Sequence, residues 1–432
     1  MDLPQFPVFV SDTLVPRLWI TAVALIHLFL AQLTVGGGIL IAFFEWRAES
    51  GGNSLLRDFL HRFFNTSVLV CFLLGAVSGI GLWFVTALVT PRSHLFLLRE
   101  FHWIWAAALS LFVFQVFCGY AYYVYGRTLP FRSRFSLASG YAVSAFLSLL
   151  LVNGILTFQL TPGEWLNSGA LWDGLFNPTF WSSLLARVVA SMALAALVAS
   201  LVAQAIRSYD LADRREITRN ASFLLIPLLS MPALALWFFT GIQESSRSYF
   251  TGTNLPTALF LFISMFSAVL VAGTAIFALL KRRSLVHLSG TVLLTVFAIC
   301  AMGTTELIQA SMRKPFAVTG VLYSNGIAVD EVRKLQRKGI DRKSLWPLRN
   351  RERYPSGDVR QGRLVYRELC AVCHTPTSLN GLVYLTESWD REMLERNLEN
   401  LHRLKPFMPP FAGDEEDLED LVDYLIWLRE VE

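Results

Sequence analysis

The chain has 432 residues, of which 54% are hydrophobic and only 16% are charged. A soluble protein typically has about a quarter charged residues, so this composition excludes a disordered chain, a collagen-like fibre and an ordinary soluble enzyme. The mean hydropathy of +0.48 predicts several membrane-spanning helices. Five cysteines are too few for a disulfide scaffold. The net charge of +4 is small and spread along the chain, so we expect no nucleic-acid partner.

Before residue 313, long apolar runs alternate with short polar loops. Each run is long enough to cross a hydrocarbon core of about 30 Å at about 1.5 Å per residue. The first run shows no small-residue cleavage site, which predicts an uncleaved signal anchor. The sequence therefore predicts an all-α polytopic membrane helix bundle of eight spans, at about residues 18–45, 64–90, 101–125, 136–160, 178–206, 220–241, 256–280 and 286–310.

Positive charges in the loops predict the orientation of these spans. The loops after the first, third, fifth and seventh runs together hold thirteen Lys and Arg residues, whereas the opposite side holds four. The side with thirteen should be cytoplasmic. An even number of spans then places both termini outside, which is the periplasm if the source is a bacterium.

After residue 313 the chain is polar and contains the string Cys370-Ala371-Val372-Cys373-His374. This C-x-x-C-H pattern is typical of c-type haem attachment, because two thiols at this spacing can each bond one vinyl group of a porphyrin while the next histidine reaches the iron. A chance match or a zinc knuckle is the alternative, but a zinc site would normally need a second Cys pair.

Residues 355–432 resemble class I cytochrome c. A helix carrying Gly362 and Tyr366 precedes the motif, a Met-Pro-Pro loop follows at Met408, and a predicted helix from Glu415 to Leu428 closes the chain. The resemblance implies one covalent haem c, with His374 as the proximal ligand and Met408 as the distal ligand. It also implies that Tyr366 packs on the last helix, at Tyr424 and Trp427. Met408 as a core side chain, or His402 as the sixth ligand, are the alternatives.

Residues 313–354 form a connector between the membrane spans and this domain. It is basic, and two interpretations stay open: a solvated linker, or a docking surface for a partner subunit. Its positive residues include Lys334, Arg337, Lys338, Arg342, Lys343, Arg349, Arg351 and Arg353.

Polar side chains inside the membrane are costly and usually face a cavity or a cofactor. His27 lies deep in the first span, as either a packing residue or a haem ligand. Arg187 lies at similar depth in the fifth span, where it needs a carboxylate partner such as a haem propionate or reaches back to the interface. Met265 and Glu306 lie in the seventh and eighth spans. All of them fall in the half of the bilayer nearer the C-x-x-C-H domain, and they predict a redox centre there.

Residues 15–318 resemble subunit I of the cytochrome bd quinol oxidases. Three stretches carry the resemblance: Arg17-Leu18 followed by His27, Arg99-Glu100-Phe101, and Met312-Arg313-Lys314-Pro315-Phe316. The resemblance implies a haem of b or d type on His27, and Met265 as the methionine ligand of a low-spin haem. It also implies Glu100 and Arg313 as catalytic residues, and Arg187 and Glu306 as contacts to the cofactor.

The sequence departs from this family at two ligand positions. A low-spin haem histidine of the family falls near Ala186-Arg187, where no histidine occurs, and a carboxylate ligand of the family falls at Ala310. The resemblances therefore favour a membrane electron-transfer subunit, of the oxidoreductase class, that links quinol through a membrane haem to haem c. The alternatives are an oxygen-reducing bd-like oxidase, or a degenerate scaffold in which only haem c is redox-active.

The expected partners are membrane lipid, quinone or quinol, and other respiratory subunits, with a bd-like paralogue or a cytochrome c as candidates. The predicted domains are a bd subunit I-like membrane domain at residues 1–312, the connector at 313–354 and a class I cytochrome c domain at 355–432.

Overall fold

The computed structural model describes residues 8–244, 246–247, 255–280, 287–340, 348 and 351–431. Within this part of the chain, eight helices are long and apolar enough to cross a membrane, as the sequence predicts. The helices up to residue 312 are α1 (Pro16–Ser50), α2 (Ser54–Val89), α3 (Pro91–Glu100), α4 (His102–Tyr125), α5 (Phe131–Phe158), α6 (Trp165–Ser168), α7 (Leu171–Leu175), α8 (Phe180–Ala205), α9 (Leu211–Gly241), α10 (Leu255–Leu280) and α11 (Leu288–Met312).

The remaining elements are short. An antiparallel pair of strands opens this part of the chain, and six described helices and a 3-10 turn (Arg351–Arg353) follow. They are β1 (Phe316–Val318), β2 (Leu322–Tyr323), α12 (Val332–Lys338), α13 (Gly357–Leu369), α14 (Leu382–Leu385), α15 (Arg391–Glu399), α16 (Leu401–Leu404) and α17 (Glu415–Val431).

The chain forms two compact units. The first unit contains Met1–Ala24, Ile80–Glu100 and Arg313–Glu432, and the second contains Leu25–Gly79 and Phe101–Met312. The predicted domain boundaries remain predictions, because these units are assembled from separate stretches of the chain.

The core of the second unit is built from apolar faces of α1, α2, α5, α8 and α9. Helices α1 and α8 approach closely at Gly36, where a Cβ atom would lie 1.9 Å from the carbonyl oxygen of Ser191. Small residues allow such close backbone contact between membrane helices. A buried carboxylate, Glu45, accepts hydrogen bonds from the Tyr122 hydroxyl at 2.7 Å and from Arg134 Nε at 3.2 Å, so this charge is compensated inside the unit.

The core of the first unit lies where α13 crosses α17. The two helices meet at Gly362, where a Cβ atom would lie 1.8 Å from the carbonyl oxygen of Asp420. Tyr366 packs on Tyr424 with ring centroids 5.7 Å apart, as the resemblance to cytochrome c predicts. Trp427 contacts Tyr424 at 6.1 Å, which extends the same aromatic layer.

The connector is folded over its described part. Residues 316–338 contain β1, β2 and α12, joined by turns. Val332 packs with Ile327 and Ala412 in a small apolar cluster. This differs from a solvated linker, because the alternation of apolar and charged residues in α12 buries one face and exposes the other. Lys334, Arg337 and Lys338 are exposed on α12. The predicted docking residues Arg342, Lys343 and Arg349 lie outside the described residues.

Candidate functional site

The C-x-x-C-H string forms a tight turn directly after α13. The backbone N–H groups of Cys373 and His374 both donate to the Cys370 carbonyl at 3.0 Å, and the Cys370 N–H donates to Tyr366 at 2.8 Å. One turn therefore carries both cysteines and the histidine. Both thiols are free and half-buried, and burial raises the pKa of the Cys370 thiol to about 12.

The imidazole of His374 is oriented by its own loop. Its Nδ1 lies 3.1 Å from the Asn380 carbonyl oxygen. Because a carbonyl only accepts, Nδ1 carries the proton and Nε2 keeps its lone pair for a metal. Asn380 adopts a left-handed conformation (φ 59°), which asparagine tolerates, and its side chain donates to the Cys373 carbonyl at 2.7 Å.

Charges and burial set the protonation of His374. Burial lowers its pKa, the hydrogen bond to Asn380 raises it, and the positive charge of Lys314 lowers it further. The role of Asn380 is absent from the sequence prediction. The dipeptide Asn380-Gly381 is a turn signal and could have indicated it.

His402 lies on α16, and Met408 lies in the loop between α16 and α17. Met408 is half-buried, and its carbonyl oxygen lies 2.9 Å from Nδ1 of the exposed His402. The backbone of Met408 thus orients the ring of the alternative ligand. Met408 as the sixth ligand, with His402 as the alternative, remains a prediction.

The residues of this loop fit a covalent haem. Two free thiols, an imidazole with an available Nε2 and a methionine thioether form the donor set of a c-type haem with His/Met axial ligands. Such a group supplies one-electron redox chemistry. The protein side of the site holds the imidazole in one tautomer and buries the attachment turn against the helix crossing.

In the second unit, His27 lies against α2. Its Nδ1 is 3.1 Å from the Ser78 hydroxyl oxygen, and that hydroxyl donates to the Gly75 carbonyl at 3.1 Å. A hydroxyl has one proton to donate, so it accepts from Nδ1–H and leaves Nε2 of His27 unprotonated. A Cβ atom at residue 79 would lie 3.1 Å from His27 Cε1, so Gly79 leaves room for the ring. One ring nitrogen of His27 is therefore suited to bind iron.

Arg187 has a protein carboxylate as its partner. Its Nη1 lies 2.6 Å from Glu306 Oε1, its Nη2 lies 3.5 Å from Gln309 Oε1, and its Nε lies 3.4 Å from Ser183 Oγ. The side chain of Arg187 is only 7% exposed, and that of Glu306 is 28% exposed. The sequence predicts a carboxylate partner at this depth, and Glu306 supplies it. The two predicted cofactor contacts thus bind each other.

Met265 faces away from the interior of the second unit. It is 60% exposed, and its role as a haem ligand remains a prediction. The exposed Phe262, Phe266 and Val269 share its helix face, because residues three and four apart lie together. The sequence could not reveal this orientation, since a helix in lipid is apolar on its outer face too.

Glu100 and Arg313 belong to the first unit. Glu100 is the last residue of α3 and is half-buried. Arg313 follows α11, and its carbonyl oxygen accepts from the Phe316 N–H at 2.8 Å. Their catalytic roles remain predictions.

Comparisons with known proteins match both parts of the chain. Residues 357–425 match the family described as cytochrome C oxidase, cbb3-type, subunit III. The structure of bd oxidase from Geobacillus thermodenitrificans superposes with a TM-score of 0.63 at 13% identity, covering 72% of this chain and 90% of that one. At this identity the likeness shows the fold alone. No curated protein matches the chain in sequence.

These findings confirm the two resemblances. The chain joins a membrane domain with the fold of bd oxidase to a C-terminal cytochrome c domain. It is a multi-pass membrane protein, and its C-terminal domain is of the kind that carries haem c.

Proposed function

We propose that this chain, a bd-oxidase-like membrane domain joined to a cytochrome c domain, is an electron-transfer subunit between the quinol pool and a c-type haem. His27 would hold a membrane haem of b or d type, and Cys370 and Cys373 would hold a haem c, so that the two haems would supply one-electron redox chemistry. Quinol oxidation releases two electrons and two protons, and each haem carries one electron at a time. The domain with haem c and both termini are periplasmic, in the inner membrane of a bacterium.

The observation that carries this proposal is the orientation of the two histidines. His374 and His27 each have Nδ1 engaged by a fixed oxygen, at 3.1 Å in both cases. Each therefore offers Nε2, which is the arrangement that second-sphere hydrogen bonds give to metal-binding imidazoles. A neutral imidazole carries its proton on one nitrogen, so a hydrogen bond that holds the proton on Nδ1 leaves the lone pair on Nε2. Partner subunits or a soluble cytochrome c would exchange electrons with haem c.

A second candidate function is a scaffold in which only haem c is redox-active. The ion pair of Arg187 with Glu306 favours it, because this guanidinium needs no haem propionate to compensate its charge. The outward-facing Met265 also fits this candidate. The two candidates differ in the number of membrane haems.

A haem count separates the two candidates. The pyridine haemochrome spectrum of the purified, intact complex should contain haem b or d together with haem c. His27→Leu should remove the b- or d-type absorbance while haem c remains, and His61→Leu, which changes a histidine not proposed as a ligand, should leave both. A wild-type complex with haem c alone would refute the membrane haem and support the scaffold.

The attachment site and the orientation have their own tests. The double variant Cys370→Ala, Cys373→Ala should lose the covalent haem signal on a stained denaturing gel, because each thiol makes one bond to the porphyrin. A signal of full strength would contradict the site.

Alkaline phosphatase fused after Glu432 should be active, since it folds only where disulfides form. An inactive fusion would place the domain in the cytoplasm.

A further inference from the structure

The segment before α1 binds the cytochrome c domain within the first unit. Asp12 Oδ1 lies 2.6 Å from Arg363 Nη2, and the side chain of Arg363 is 9% exposed. The guanidinium of Arg363 also donates to the Tyr424 hydroxyl at 3.0 Å and lies 4.8 Å from the ring centre of Tyr366. Because Arg363 is buried between these groups, the contact with Asp12 fixes the segment to the helix crossing.

A second ion pair lies elsewhere in the first unit. Arg92 of α3 is 6% exposed, and its Nη2 lies 2.6 Å from Glu331 Oε2 in the connector. A Cβ atom at Gly326 would lie 3.5 Å from Arg92 Cβ, which is ordinary van der Waals contact. Two separate ion pairs therefore hold the first unit together, and each of them contains its own buried arginine.

In the same unit, Arg17 reaches the attachment turn. Its Nη1 lies 3.5 Å from Cys373 Sγ. With haem c attached, that sulfur would be the thioether to the porphyrin, so the guanidinium would lie beside the haem edge held by Cys373. The positive charge of Lys314 also acts on this site, because it lowers the pKa of His374, and the charge of Arg17 lowers the pKa of Lys314 in turn.

We propose that Arg17, with Lys314, is a positioning residue for haem c: it holds the Cys373 edge of the haem at the first turn of α1, and the two positive charges raise the reduction potential of the iron. Reduction adds one electron, and so one negative charge, to the haem. A fixed cation nearby therefore favours the ferrous state. The inference rests on the covalent haem of the proposed function, and not on quinol or on a membrane haem.

The test is a redox titration of the haem c α-band in the purified full-length protein. Arg17→Gln should decrease the equilibrium constant for haem c reduction by roughly threefold to tenfold, from one charge acting across a partly buried site. Tenfold corresponds to about 59 mV for one electron. Arg17→Lys keeps the charge and should change the constant less than Arg17→Gln.

Arg360→Gln is the matched control, because Arg360 is exposed on the same domain, ten residues before Cys370 and so about 15 Å along the helix. It should leave the potential unchanged. If Arg17→Gln does not accumulate, Lys314→Gln decides, with a decrease supporting the proposal. An unchanged potential in a variant that stains fully for covalent haem would overturn the inference, as would an equal shift in Arg360→Gln. Absence of covalent haem in the wild type would instead refute the proposed function.

Discussion

The crossing of α13 and α17 gives a sharp prediction about the stability of the cytochrome c domain. At Gly362 an added Cβ would lie 1.8 Å from the Asp420 carbonyl oxygen and 2.7 Å from Tyr424 Cβ. Ordinary contact begins at 3.4 Å, so the two helix backbones must separate by about 1.6 Å at this point. We expect Gly362→Ala to destabilise the domain, because the nearest obstacle is backbone and cannot rotate away.

The magnitude follows from two opposing effects. Overpacking of a close contact typically costs about 1–3 kcal/mol, and the upper end applies where backbone must move. Replacing glycine by alanine inside a helix contributes about 1 kcal/mol in the opposite direction. The net loss is about 2 kcal/mol, which lowers the unfolding temperature of a domain of this size by about 8–16 °C.

Thermal unfolding of the full-length protein in detergent, followed by the haem c absorbance, measures this shift. Gly357→Ala is the matched control, because Gly357 begins the same helix and an added Cβ there meets nothing within 4 Å. It should unfold at or slightly above the wild-type temperature. Equal unfolding temperatures for the two variants would show that the helices do not cross at Gly362.

Three further predictions concern single side chains. Met408→Ala should keep the covalent haem but lower its midpoint potential in a redox titration; an unchanged potential and near-infrared methionine band would make His402 the sixth ligand. Glu306→Gln should leave the buried charge of Arg187 without its carboxylate and cost about 3 kcal/mol, seen as a lower midpoint of thermal unfolding in detergent, whereas adding Arg187→Gln should recover part of the loss. Burial raises the pKa of the Glu368 carboxyl. The stability that its protonated form contributes is therefore present at acidic pH and is lost as the pH rises through the folded-state pKa. In thermal unfolding, Glu368→Gln should raise the unfolding temperature at about pH 8 and leave it unchanged at about pH 4.

The spans and the attachment turn could be predicted because their signals are local. Each apolar run is contiguous in sequence, and all eight predicted spans are confirmed. The start of α2 was missed by ten residues: its first turns, Ser54–Phe63, are amphipathic and bury Leu56, Phe59 and Phe63 without being apolar overall. Mean hydropathy does not detect such a segment. The recurrence of its apolar residues every three or four positions does indicate a helix.

Contacts between distant residues could not be predicted in the same way. Arg187 and Glu306 are each predicted separately, because a charged residue inside a membrane span is unusual. Sequence spacing predicts contacts only within one or two turns of the same helix, so it could not show that these two residues form a pair. The sequence uses Arg17 only for its ten-residue distance from His27. Its contact with Cys373 joins two residues that are 356 positions apart in the chain. The orientation of Met265 was equally hidden, because lipid and protein interior select the same apolar residues.

The assembly of the first unit from three distant stretches has a consequence for biosynthesis. Asp12 and Arg363 are 351 residues apart in the chain. At a synthesis rate of about 5–20 residues per second, the segment before α1 waits roughly 20–70 s for the helix that it binds. Until then the carboxylate of Asp12 and the guanidinium of Arg17 are hydrated at the end of α1. The fold of the first unit can therefore close only after the ribosome has delivered α13 and α17, so the domain with the C-x-x-C-H string matures later than the membrane spans that precede it.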